Sequence, residues 1–267
     1  KNNNFPGTIK FIFQPAEEQY PGGAQQMIKE GVLNNPKVEK VFGQHVFPDL
    51  EVGKVGFCSG KYMASADEIE IIITGSGGHA ALPDTYTNPI IPAAKLVTRL
   101  EEHFLPFRNI PSVFAIGFFN ADGYCNVIPD CVKLKGTFRT IDEGFRSLAH
   151  LQMQKISDQL QEESNVDINF KIHKGYPSLH NDESLTNSAI IYAKEYLGKE
   201  NVVDLTVRMT AEDFAYYCNE VPSCFYRLGT ANKSKGITYG LHTSRFDIDE
   251  QALKIGMGLM AYLAIKN

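Results

Sequence analysis

The stretch from Ala66 to about Lys174 places the tightest constraint on how this chain folds. Glu68, Ile69, Glu70 and Ile71 alternate polar and apolar, as a half-exposed strand does. A helical stretch from Pro89 to about His103 follows. Next come strand-like runs at Ser112 to Phe119 and Val127 to Thr140, a long helix from Glu143 to Glu163 and a strand from Val166 to His173. In the long helix Phe145, Ala149, Met153, Ile156 and Leu160 recur every three or four residues and make one apolar stripe. The order β-α-β-β-α-β is that of a ferredoxin-like split βαβ sandwich, with helices on one face of an antiparallel sheet. Its other face is free to pair, a second copy of the chain being one candidate.

The flanks read differently. Thr8 to Phe13 reads as a buried strand, Gly23 to Glu30 as a short helix ended by Gly31, and Val38 to Val46 as a second strand. After Tyr176-Pro177 come a helix from Glu183 to Leu197, a strand at Val202 to Val207, a helix around Ala211 to Cys218, a strand at Cys224 to Leu228 and a helix from Glu250 to Ile265. Strands alternating with helices specify an α/β fold. The expected organisation is therefore an α/β domain split into residues 1–65 and 175–267, with residues 66–174 inserted. At 267 residues, 43% hydrophobic and 21% charged, the chain has the composition of a globular protein with two modest cores. A net charge of -5 and the lack of a basic run argue against nucleic acid as a partner. No apolar stretch approaches the roughly 20 residues that cross a bilayer, and no signal-type segment opens the chain, so the expectation is no membrane partner and a cytoplasmic location. The five cysteines are odd in number and fit neither a zinc knuckle nor a disulfide framework, which predicts reduced thiols.

The candidate chemistry centres on Glu17-Glu18, between the apolar run Ile9 to Phe13 and a tight Tyr20-Pro21-Gly22-Gly23 turn. Two carboxylates in a water-poor pocket repel each other or stay protonated unless a cation holds both ionised. Adjacent side chains diverge, so one can ligate a metal while the other faces the water that metal activates. An acidic loop favouring the N-terminus of the helix near Gly23 explains the same pair. His45 ends the Val41-Phe42-Gly43-Gln44 run, and His242 sits in a loop before the last helix. Strand ends and the loops after them are where open α/β sheets bind ligands, so these four side chains can converge on one crevice. One carboxylate and two imidazoles make a zinc shell, with a second acid left as base. Each histidine taken singly also reads as a structural or surface residue.

Several stretches resemble a known family: Phe13-Gln14-Pro15-Ala16-Glu17-Glu18 with Gly22-Gly23-Ala24, Gly43-Gln44-His45-Val46, Gly75-Ser76-Gly77-Gly78-His79-Ala80-Ala81, Asn126-Val127-Ile128-Pro129-Asp130, Gly136-Thr137-Phe138-Arg139, Ala211-Glu212-Asp213-Phe214, and Leu241-His242 with Arg245 to Glu250. Together, in order and over essentially the whole chain, they are similar to the amidohydrolase branch of the zinc aminoacylase and carboxypeptidase family. That branch contains hippurate hydrolases, N-acetyl-diaminopimelate deacetylases and indoleacetyl-amino-acid hydrolases. The resemblance implies a zinc-peptidase-like α/β/α catalytic domain carrying an inserted lid and dimerisation domain. It implies Glu17 as general base, Glu18, His45 and His242 as metal ligands, and His79 as the donor to the tetrahedral oxyanion. Asn126 and Arg139 take the positions that meet the substrate carboxylate. Two divalent ions (zinc, manganese, nickel or cobalt), a small N-acyl amino acid or dipeptide substrate, and a homodimer through the inserted domain are the implied cofactors and partners.

The departures matter too. In the family a cysteine and a histidine that complete the metal site precede the Glu-Glu pair on a strand-rich segment, and Cys58 does not match that position. The resemblance thus implies that the N-terminal part of the catalytic domain is absent from this chain, which is either a fragment or a truncated product. Ser244, where a proline is common, and Asp84 and Asn88 after His79 should affect loop stiffness or specificity. The expected activity is metal-dependent hydrolysis of N-acyl amino acids. A carboxypeptidase or dipeptidase, and an inactive relative acting through its dimerisation domain, are the alternatives.

Overall fold

Two apolar patterns in the sequence become two separate cores. The computed structural model describes residues 7–107 and 109–267. In chain order the elements are α1 (Gly23–Lys29), β1 (Val41–Glu51), β2 (Val55–Phe57), β3 (Gly60–Met63), β4 (Asp67–Thr74), β5 (Gly78–His79), α2 (Ile90–Phe104), β6 (Ser112–Ala121), β7 (Val127–Ile128), β8 (Cys131–Thr140), α3 (Glu143–Ser164), β9 (Asp167–Lys174), β10 (Leu179–Asn181), α4 (Glu183–Leu197), β11 (Val202–Asp204), α5 (Ala215–Glu220), β12 (Ser223–Ala231) and α6 (Gln251–Lys266). The chain divides into unit 1 (Lys1–Tyr62, Leu179–Arg208 and Glu212–Asn267) and unit 2 (Met63–Ser178 with Met209–Ala211).

Unit 1 is built on a sheet of order β1-β12-β2-β11, in which β1 and β12 run parallel. β12 is buried along its whole length, as a central strand covered on both faces must be. Cys224, Tyr226 and Leu228 join Leu185, Ala189 and Ala193 of α4 and Ala252, Leu259 and Leu263 of α6 in one core. Phe225, of opposite parity, packs on Phe214 with ring centres 5.0 Å apart. Asp182 caps α4 by accepting the Leu185 N–H at 2.7 Å.

Unit 2 holds a sheet of order β6-β8-β4-β9, antiparallel throughout, with β5 and β7 forming a separate two-stranded ladder. Ile69, Ile71 and Ile73 are fully buried and pack with Leu96 and Leu100 of α2 and Ala149, Met153 and Leu160 of α3. The apolar stripe of α3 is thus the face laid on the sheet. Asp142 accepts the Phe145 N–H at its start, and Asn165 closes it in the left-handed region at φ 49°. The run from Val127 to Thr140 splits into β7 and β8 at Pro129, which has no N–H to give a ladder.

A buried ion-pair network ties together the start and end of this sheet. Asp67 opens β4 on the inward register of Ile69, and its carboxylate accepts from Arg146 Nε at 2.9 Å, from His150 Nε2 at 2.6 Å and from the Gly175 N–H at 3.0 Å. Arg146, also fully buried, donates to Glu143 and to the Gly175 carbonyl, and Glu143 in turn accepts the Ser178 N–H. Burial alone would push the Asp67 pKa up, but the hydrogen bonds from His150 and Arg146 outweigh it and hold the carboxyl at about 2.

One predicted element is corrected. Thr8 to Phe13 forms neither a strand nor a buried segment, and Phe11 and Phe13 are 77% and 86% exposed. A strand exists only as part of a ladder, and β1 pairs with β12 alone, so no described neighbour supplies one. The segment is anchored instead by Lys10, whose Nζ donates to the carbonyls of Val32 and Asn34. The helix expected from Ala211 begins later, at Ala215, because Glu212 and Asp213 lie in the turn that precedes it.

Replacing Asp67 by Leu strands a buried guanidinium and should destabilise the protein by about 3–5 kcal/mol in denaturant titration. Because Asp67 titrates near 2 when folded against an ordinary 3.8, its stabilising contribution is complete above pH 3.8 and lost as pH falls towards 2. An acid-unfolding curve for Asp67→Asn should lack that steep region; an unchanged curve would remove the network from the account of stability.

Candidate active site

Glu17 and Glu18 sit in a tight turn between the Lys10-anchored segment and α1, and the backbone there is held against its preference. Ala16 adopts φ 58° and Gly22 φ 78°, both in the left-handed region. Such conformations persist where surrounding contacts over-determine them, and here Asp213 supplies the contacts. Its fully buried carboxylate accepts from the Gln14 amide at 2.7 and 2.8 Å and from the Ala24 N–H at 3.0 Å, gripping the turn on both sides. A Cβ on Gly22 would fall 2.4 Å from Asp213 Oδ2, so only glycine lets the loop come this close.

Among the described residues, Glu17, Glu212 and Asp213 form the one group of three or more metal-ligating side chains whose ligand atoms all lie within 4.8 Å of one another. Glu212 is 5% exposed. Burial, then the negative charge of Glu17, push its pKa up to about 8. Burial likewise raises Glu17, reinforced by the charges of Glu18 and Asp213; a hydrogen bond with Glu212 and the charge of Arg227 act the other way. With Asp213 engaged by the loop, Glu17 and Glu212 form a carboxyl pair in which burial and mutual repulsion raise both pKa values above the ordinary carboxyl range.

His45 lies on β1 opposite Arg227 of β12. Its Nδ1 is 2.7 Å from the Val46 carbonyl, which can only accept, so Nδ1 carries the hydrogen and Nε2 offers a lone pair. Burial, with Arg227 and Arg208 adding to it, lowers the His45 pKa and keeps the ring in the neutral form that binds metals. His242, in the left-handed region at φ 59°, brings Nε2 to 3.8 Å from Glu18 Oε1, and both side chains are exposed to solvent. Glu18, His45 and His242 therefore share one region of unit 1, with Glu18 near enough to influence His45 electrostatically, but they do not close into a triad as tight as that of Glu17, Glu212 and Asp213.

The remaining sequence-predicted residues belong to unit 2. His79 pairs with Val127 in the β5–β7 ladder, and the Ala80 N–H donates to the Asn126 carbonyl at 3.0 Å, so His79 and Asn126 lie together. His79 Nδ1 accepts from the Ala81 N–H at 3.1 Å, which leaves Nε2 as the donor of the neutral ring. Arg139 stands on β8, and its Nη1 donates to the Met209 carbonyl at 3.2 Å.

Sequence reasoning assigned no role to Glu212, Asp213 or Arg227. The first two repeat the signal of Glu17-Glu18, adjacent acids at an element boundary. Arg227 is a lone cation in an otherwise apolar strand and is 4% exposed; its Nε donates to the Tyr62 hydroxyl at 3.1 Å.

Comparisons with known proteins identify the family. The chain matches Peptidase family M20/M25/M40 over residues 1–266. It is 34% identical to N-acetyl-L-cysteine deacetylase of Bacillus subtilis, over 94% of this chain and 58% of that protein. Identity to thermostable carboxypeptidase 1 of Saccharolobus solfataricus is 32%, over 97% of this chain and 66% of the relative. The crystal structure of the Bacillus subtilis YXEP protein, described as a dinuclear metal binding peptidase, superposes with a TM-score of 0.78 at 32% identity, covering 96% of this chain and 64% of that one. This chain thus spans between 58% and 66% of the length of these relatives. With a family match along nearly its whole length, the chain belongs to Peptidase family M20/M25/M40.

Proposed function

We propose that the whole protein hydrolyses the amide bond of N-acyl amino acids with Glu17 as general base. The observation that carries this reading is the clamped turn, in which a half-buried carboxyl of raised pKa stands next to a second carboxylate that reaches an imidazole. The donor types fit a divalent cation: oxygen from Glu18, and imidazole nitrogen from His242 and from His45, whose tautomer is already set. The same donors tolerate zinc, manganese, nickel or cobalt, and two such ions are the proposed complement. When bound, the metal supplies Lewis-acid polarisation of a carbonyl and acidification of water.

The chain's own residues do the rest. Glu17 takes the proton of the attacking water on a carboxylate oxygen and returns it to the nitrogen of the departing amine. The hydrogen bond with Glu212 lowers the Glu17 pKa against the burial that raises it and so helps the base to ionise. The Nε2–H of His79 is the proposed donor to the oxyanion, and Asn126 and Arg139 the proposed contacts to the substrate carboxylate. Two copies would pair through unit 2, where β6 is an edge strand with Phe118 and Phe119 exposed. Relatives named as a deacetylase and a carboxypeptidase support amide hydrolysis as the shared reaction.

Glu17→Gln should lower kcat on N-acetyl amino acids by about 10²- to 10⁴-fold with metal content unchanged; full turnover in that variant would reject the base assignment. The acid limb of the rate profile should lie above the ordinary carboxyl value of 4.5, since the base must be ionised and burial raises its pKa. Asp213→Ala releases both flanks of the turn, and zinc affinity measured by competition with a chelator should drop about 10- to 100-fold. Affinity equal to wild type would show that the clamp does not position the ligands.

A further inference from the structure

Arg208, partly exposed, differs from the buried Arg146. Arg146 has all its partners: Asp67, Glu143 and the Gly175 carbonyl. Arg208 Nε is buried and has no hydrogen-bond partner, and no ion pair joins the side chain to a carboxylate among the described residues. Its position is nonetheless fixed. The backbone N–H donates to the Tyr62 carbonyl at 2.9 Å, and the guanidinium lies over the Phe47 ring, 4.7 Å from its centre. Phe47 is two residues beyond His45 on β1, so both side chains leave the same face of the strand. The charge of Arg208 is felt at both His45 and Tyr62. Arg227 approaches the same two residues, opposite His45 in the sheet register and hydrogen-bonded to the Tyr62 hydroxyl. Two cations thus flank one imidazole, and the half-exposed Arg208 is the one with no carboxylate beside it.

Positive charge placed this way next to a proposed metal ligand is complementary to an anion. A flat, always ionised guanidinium stacked on an aromatic ring is suited to a carboxylate, which it can hold through two parallel hydrogen bonds. We propose that Arg208 is a carboxylate-recognition residue of unit 1, receiving the free α-carboxylate of an N-acyl amino acid beside His45. The identity of that ligand rests on the hydrolase reading; the anion preference of the position rests on the geometry of Arg208 alone. The residue thereby becomes a determinant of substrate choice in its own right, additional to Arg139.

The test is equilibrium titration of the full chain, in zinc, with N-acetyl-L-alanine and with its neutral counterpart N-acetyl-L-alaninamide. Wild type should prefer the acid. Arg208→Gln should weaken acid binding about 10- to 100-fold, the range of a lost hydrogen bond to a charged group, and leave the amide unaffected. Arg208→Lys, which keeps the charge and the stem over Phe47, should recover part of the loss and controls for folding. Where turnover is measured, KM for the acid should rise with kcat little changed. Equal losses for both ligands, or an acid preference intact in Arg208→Gln and lost only in Arg139→Gln, would overturn the proposal. An Arg208-dependent acid preference without hydrolysis by this chain would leave this site standing, while the hydrolase reading is rejected separately by full turnover of the whole protein in Glu17→Gln.

Discussion

The buried carboxylate of Asp213 is the contact on which the geometry of the candidate site depends. It joins positions 199 residues apart in sequence, taking the Gln14 amide and, beyond the turn, the Ala24 N–H in the first turn of α1. A buried carboxylate is costly unless its lone pairs are met, and these three hydrogen bonds meet them. The turn they enclose holds Ala16 in a conformation that alanine disfavours and obliges position 22 to be glycine. Orientation of Glu17 towards Glu212, and of Glu18 towards His242, follows from that constraint. The placement of both candidate side chains is therefore held by a residue from the far side of the sequence.

The same physics appears in unit 2 with opposite consequences for ionisation. Asp67 and Glu212 are both nearly inaccessible to water, yet one carboxyl is held at about 2 and the other is pushed to about 8. Partners make the difference. Asp67 faces a guanidinium, an imidazole and a backbone N–H, all donors that favour the anion, whereas Glu212 faces another acid. Burial is common to both and so cannot decide the sign. One arrangement suits a permanent structural anchor, the other a group whose proton is available near neutral pH.

Where a segment's environment is encoded by its own periodicity, the sequence was a good guide. The stripe of α3 and the alternation of β4 each face a single core, so the buried side can be read locally, and α4 falls on the residues its pattern predicted. Thr8 to Phe13 is apolar too, but a run of apolar residues carries no information about whether a neighbouring strand is present. At the site, adjacent acids at an element boundary made Glu17 and Glu18 visible. The link from Gln14 to Asp213 was not, because nothing local marks a hydrogen bond across most of the chain. Asp67 was legible in principle, an acid on the inward parity of Ile69, Ile71 and Ile73, which calls for a buried cation somewhere.

β1 lies at the border of its sheet, with β12 on one side only. Among the described residues the backbone groups along that border have no strand beside them, and Phe11 and Phe13 present apolar rings to solvent within the same unit. An extended strand with alternating apolar residues laid along that border would continue the sheet through main-chain hydrogen bonds.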